Sequence, residues 1–170
     1  AGSNAAISYK ELNPSLRVGL IDKAIFPRDK SCGDAIGPGV ISALKRFNNE
    51  HILDDEPQVV STTLYGPDNI GIQNYIPEVQ NKEDSIVYVI PRIDLDNRIL
   101  NLAKDSDVDV IEGLNFVSFE EDINKNILVK FKNEDENFLF STRLLIGADG
   151  ANSRIRKQLN LKPNSDWHKA

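Results

Sequence analysis

The stretch Leu144-Leu145-Ile146-Gly147-Ala148-Asp149-Gly150-Ala151-Asn152-Ser153-Arg154-Ile155-Arg156 decides how the rest of the chain is read. Its first three residues have the length and character of a short buried strand. A turn of small residues with a single carboxylate follows, and residues 153–159 read as a helix. Glycine on both sides of Asp149 lets a backbone or a ligand come close. Arg154 and Arg156 either meet a phosphate or stand as solvated helix charges, and both readings stay open.

Working outward, residues 2–13 read as a helix with Gly2, Ala5, Ala6 and Tyr9 on one face, stopped by Asn13-Pro14. Residues 16–21 form an apolar run of buried-strand length, and Asp22 follows directly. Residues 23–37 carry Pro27, Gly33 and Gly37 and read as an ordered loop. Pro38 opens a helix with Val40, Ile41, Leu44 and Phe47 as its apolar stripe. Residues 59–65 and 86–90 are rich in β-branched and aromatic residues and read as strands around a polar, turn-rich segment, 66–84. A helix over 94–105 points Leu95, Ile99, Leu102 and Ala103 inward, and 108–111 is a short strand closed by Gly113. Three strands, 116–120, 127–131 and 138–141, then form an antiparallel meander with polar turns. Strand–helix alternation favours an α/β fold with a parallel sheet. The strand that normally opens such a sheet is expected to be missing, because a helix comes first.

Dinucleotide sites place a glycine turn at the start of the first helix, where free backbone N–H groups and the positive helix end receive a pyrophosphate. Gly2 fits the last glycine of such a turn, although a glycine near a helix start is common in any protein. Asp22 lies 20 residues further on, at the end of the second expected strand. That is where a carboxylate accepts hydrogen bonds from the ribose diol, and a plain turn aspartate is the competing reading. The 26–34 loop carries the single cysteine, Cys32. A lone cysteine is more often a small buried apolar residue than a reactive thiol. Arg28 and Lys30 favour a thiolate there, and Asp29 and Asp34 oppose it.

Composition excludes several classes. The 170 residues carry a net charge of −6 and no basic stripe, which argues against nucleic-acid binding. One cysteine excludes an internal disulfide framework, and His51 and His168 have no metal-ligand spacing. No apolar run is long enough to span a bilayer, and no secretory pattern opens the chain, so a cytoplasmic protein is expected. The chain begins at Ala1 and contains no methionine, and residues 162–170 carry no pattern and end abruptly, so truncation at both ends is expected.

In this order the segments resemble FAD-dependent oxidoreductases of the p-hydroxybenzoate-hydroxylase fold, and within them the geranylgeranyl reductase family. The run from Leu20 to Ile36 resembles that family's strand, acidic residue and Phe-Pro-Arg-Asp-Lys-Pro-Cys-Gly-Asp, with Ser31 in place of the proline. Pro91-Arg92 with Asp94, Leu95 and Ala103 is similar to the family's Arg-x-x-(Phe/Leu)-Asp segment, its acidic positions read as rearranged. Gly147 to Arg156 matches the superfamily's second FAD fingerprint. The resemblance implies a partial Rossmann-like FAD-binding domain over 1–161, combining a parallel sheet with an antiparallel meander. Residues 57–90 are then candidates for strands reaching a substrate domain, which would begin at 162–170. It implies that Gly2 and Ser3 lie at the FAD pyrophosphate, and that Asp22, with Lys23 beside it, binds the adenosine ribose. Arg28, Cys32 and Gly33 would lie along the flavin, Cys32 nearest the ring, with Arg92 bordering the cofactor. Gly147, Asp149 and Gly150 would support the pyrophosphate region. The implied reaction is hydride transfer from reduced flavin to an isoprenoid alkene, with NAD(P)H as candidate electron donor. The implied substrate is an isoprenoid lipid or small molecule, with the full-length protein peripheral to a membrane. An FAD-dependent aromatic monooxygenase or halogenase, and a non-catalytic nucleotide-binding domain, are the alternatives.

Overall fold

The computed structural model describes residues 1–75 and 86–161. In chain order the elements are α1 (Gly2–Leu12), β1 (Gly19–Asp22), β2 (Ala35–Ile36), α2 (Pro38–Lys45), a 3₁₀ turn (Glu50–Leu53), β3 (Ser61–Tyr65) and β4 (Gly71–Tyr75). They continue as β5 (Tyr88–Val89), α3 (Arg92–Asp105), β6 (Asp109–Glu112), β7 (Asn115–Glu121), β8 (Ile127–Lys132), β9 (Asn137–Thr142) and α4 (Arg154–Gln158). The expected domain start at 162–170 and part of the turn-rich 66–84 segment lie outside the described residues. No helix among the described residues is long and apolar enough to cross a membrane.

The chain divides into two units, one made of Ala1–Phe26 with Ala103–Ala170 and the other of Pro27–Leu102. In the first, α1 ends where Asn13 turns its N–H onto the carbonyls of Tyr9 and Lys10, and Pro14 cannot continue the helix. Strands β1 and β6 pair in parallel from Gly19↔Asp109 to Asp22↔Glu112. The first of these strands starts later than the apolar run suggests and includes Asp22, whose carbonyl accepts the Leu114 N–H at 3.2 Å. The meander β7-β8-β9 is antiparallel, with one irregularity between Phe116 and Ser118. Its inner face closes over Leu114, Val129 and Phe131. Phe131 meets Phe116 and Phe140 edge-on at 5.9 and 5.8 Å, each pair adding about 0.5–1.5 kcal/mol beyond the area buried.

One expected strand does not form. Residues 144–146 are apolar but make no ladder, and Leu144 and Ile146 are 52% and 53% exposed. The local cause is Thr142, whose Oγ1 donates to the Leu144 carbonyl and accepts its N–H, turning the chain before a strand can start. Leu145 alone packs on the meander core.

In the second unit, Ile36, Ile41, Leu44, Leu53, Ile90 and Leu95 form the core. Gly37 and Pro38 start α2 with extended backbone followed by proline, as expected. Val40 is outside the core at 39% exposure, so the buried stripe is narrower than the sequence suggests. Strands β2 and β5 pair antiparallel over two residues each, a pairing the loop reading of 23–37 missed. The β3–β4 hairpin, in register from Ser61↔Tyr75 to Tyr65↔Gly71, is exposed along almost its whole length.

Candidate functional site

In the first unit, three separate segments meet at the start of α1. A side-chain carbon on Gly2 would lie 3.3 Å from Leu20 Cδ1 and 3.5 Å from the Ala148 methyl. Glycine at this position therefore lets the helix start sit tightly against β1 and the 147–150 turn at once. Helix α1 has no side-chain cap and no acid in its first turn. Its leading N–H groups thus have no intrahelical acceptor, and the positive helix end is not neutralised locally. Ser3 lies half-buried within this first turn.

Asp22 ends β1 two residues beyond Leu20, about 7 Å further along the strand. Its Oδ1 accepts the Ala24 N–H at 2.9 Å, so the carboxylate shapes its own exit turn. Lys23 beside it is exposed. The 147–150 turn is built by two different glycine requirements. Gly147 faces Ile155, where a side-chain carbon would come within 3.2 Å, and Gly150 holds φ at +82°, a left-handed backbone that glycine adopts without strain. Asp149 binds the start of α4. It accepts the Ser153 hydroxyl at 2.6 Å and the N–H groups of Arg154 and Ile155 at 2.7 and 3.3 Å. Partial burial pushes its carboxyl up, and the Ser153 hydroxyl with those N–H groups more than offsets this, holding it below its ordinary value. Arg154 donates to the Phe116 carbonyl, 38 residues away, and Arg156 to the Ala151 carbonyl.

In the second unit a different set gathers. Arg92 makes a two-point contact with Asp96, at 2.9 and 2.8 Å, and Arg28 reaches the same carboxylate at 3.1 Å. Such forked pairs fix guanidinium orientation as well as charge. Burial pushes the Asp96 carboxyl up, but Arg92 first and then Arg28 bring it below the usual range. Cys32 is exposed, contrary to the buried expectation for a lone cysteine. The Asp34 backbone N–H and the Arg92 guanidinium hold its thiol below the ordinary value. Asp34 therefore supports a thiolate through its backbone, although its charge suggested opposition. Its carboxylate instead accepts the Arg92 N–H at 3.3 Å. Gly33 is exposed, and a side-chain carbon there would meet nothing.

The predicted residues thus form two groups, Gly2, Ser3, Asp22, Lys23, Gly147, Asp149 and Gly150 in one unit, and Arg28, Cys32, Gly33 and Arg92 in the other. Sequence reading missed Asp96, which binds both arginines. Its signal was present, since Arg92-Ile93-Asp94-Leu95-Asp96 places an acid four residues after Arg92, in the place the family segment puts it. It also missed Glu112, which accepts the Phe26 N–H at 2.7 Å across 86 residues of chain.

The family described as FAD binding domain matches residues 50–168. A menaquinone reductase of Mycolicibacterium smegmatis is 28% identical over 150 residues, 88% of this chain and 34% of the relative. A geranylgeranyl diphosphate reductase of Rhodobacter capsulatus is 30% identical over 161 residues, 94% of this chain and 37% of the relative. The chain thus spans about a third of the length of these curated relatives. Among solved structures, the flavin-dependent halogenase CmlS superposes with a TM-score of 0.77 at 20% identity, covering 94% of this chain and 29% of that one, a likeness of fold alone.

Proposed function

We propose that this chain, which belongs to the FAD-binding domain family, is the Rossmann-like dinucleotide-binding part of an FAD-dependent oxidoreductase that reduces an isoprenoid alkene. The observation that carries the dinucleotide reading is the meeting of an uncapped α1 start with Leu20 and Ala148 around Gly2. These residues suit the cofactor: no side chain caps the helix start, no acid sits in the first turn, and glycine lets the helix start lie close to Leu20 and Ala148. In this reading the backbone of Gly2 and Ser3 donates to the pyrophosphate. Asp22 accepts a ribose hydroxyl, with its carboxylate already oriented by the Ala24 N–H. Gly147, Asp149 and Gly150 keep the neighbouring turn in shape beside that helix start. The flavin, when bound, supplies the hydride chemistry, and NAD(P)H is the proposed source of its electrons. Two relatives with reductase names support the reductase branch over the halogenase branch.

The full-length protein is expected to purify with flavin absorbance, to release FAD rather than FMN, and to reduce a geranylgeranyl lipid. Asp22→Ala should weaken FAD binding about tenfold, the usual scale for losing one charged hydrogen bond. A protein that retains FMN or no flavin would overturn the dinucleotide reading. Oxygen-consuming hydroxylation of an aromatic compound would overturn the reductase assignment and leave the cofactor reading standing.

A further inference from the structure

Asp22 and Glu112 are register partners at the C-terminal ends of β1 and β6, on strands about 4.8 Å apart. Their carboxylates act on the same short segment. Asp22 holds the Ala24 N–H, and Glu112 Oε1 holds the Phe26 N–H at 2.7 Å. The other Glu112 oxygen meets the Lys104 ammonium at 3.3 Å. Backbone bonds complete the corner, with Leu114 N–H on the Asp22 carbonyl at 3.2 Å and Gly113 N–H on the Ala24 carbonyl at 3.3 Å. Gly113 turns here with φ at +80°, its Cα side facing Ile25. The Glu112 side chain is only 22% exposed, so its charge is part of the corner rather than a solvated surface group.

We propose that Glu112 is a positioning residue for dinucleotide binding: by holding the Phe26 N–H it fixes the path of residues 22–26, and with that path the direction in which the Asp22 carboxylate faces the ligand. The inference rests on the dinucleotide reading above and assigns Glu112 no contact with the ligand itself. Reach, not charge, is the operative property. A glutamine keeps an acceptor at the same distance from Phe26 and gives up only a pairing with a half-exposed lysine, which contributes little. An aspartate keeps the charge but is one methylene too short to reach that N–H.

The test measures FAD dissociation constants of the full-length apoprotein by flavin fluorescence, with thermal midpoints recorded alongside. Glu112→Gln should bind within about twofold of wild type, and Glu112→Asp about tenfold more weakly. In an Asp22→Ala background the Glu112→Asp change should have no further effect, because two residues that act through one contact are not additive. Wild-type affinity in Glu112→Asp, equal loss in the Gln and Asp variants, or full additivity with Asp22→Ala would each overturn the inference. If the wild-type protein takes up no FAD, the dinucleotide reading itself fails and the inference falls with it.

Discussion

The meander β7-β8-β9 and the hairpin β3–β4 are both antiparallel ladders carrying apolar and aromatic side chains, yet they are stabilised in different ways. In the meander one face is sealed, with Val129 at 2% and Phe131 at 9% exposure. In the hairpin, Leu64 and Ile72 pair across the strands at 68% and 66% exposure, and Tyr65 and Tyr75 remain at 69% and 71%. Alternation therefore specifies which residues share a face, and not whether that face finds a partner. A two-stranded hairpin with both faces in solvent is marginal by itself, whereas a third strand and an aromatic layer make the meander stable.

The contrast is most easily broken by truncating one aromatic. Phe131→Ala should cost about 3–5 kcal/mol in urea unfolding of the 170-residue chain, through lost transfer energy and a cavity between Phe116 and Phe140. A loss below about 1 kcal/mol would mean that the meander is no better packed than the hairpin. Acid sharpens the contrast next, because the hairpin's unit contains the Arg28–Asp96–Arg92 cluster and the meander core is apolar. The folded-state value of Asp96 lies below its ordinary one, so its contribution is complete above about pH 4 and is lost as pH falls through the folded value. Amide exchange around α3 should then accelerate before exchange in β8 does, and the opposite order would refute the assignment. A smaller effect concerns Cys32. The pH midpoint of its alkylation should lie below that of an unperturbed cysteine thiol measured alongside, and Arg92→Met should move that midpoint upward. An unmoved midpoint would remove Arg92 from the account. The smallest change is expected from Leu64→Ser with Ile72→Ser, within about 0.5 kcal/mol of the parent chain, since folding takes little of either side chain out of solvent.

Much of this architecture could be read from local pattern. The Asn13-Pro14 stop, the proline that opens α2 and the three meander strands all depend on residues a few positions apart. That Gly2 lies against β1 was legible because helix α1 and strand β1 are consecutive, so chain distance stands in for spatial distance. What stayed hidden depends on distant partners or on a competing local bond. The Leu144 to Ile146 strand failed because apolarity cannot reveal that Thr142 ties up the Leu144 backbone. Strand β4 was missed because Gln73 and Asn74 give it the polarity of a loop. Glu112 gives no hint of its bond to Phe26, since nothing within its own strand requires it.

The Asp149 carboxylate is bonded to Ser153, Arg154 and Ile155, all within its own turn and the helix start that follows. The bend it supports is thus cast in advance, and an arriving guest would not have to freeze a floppy segment there. Preorganisation of this kind shows itself in kinetics: capture at this corner should proceed in a single phase, with no slow rearrangement trailing the encounter.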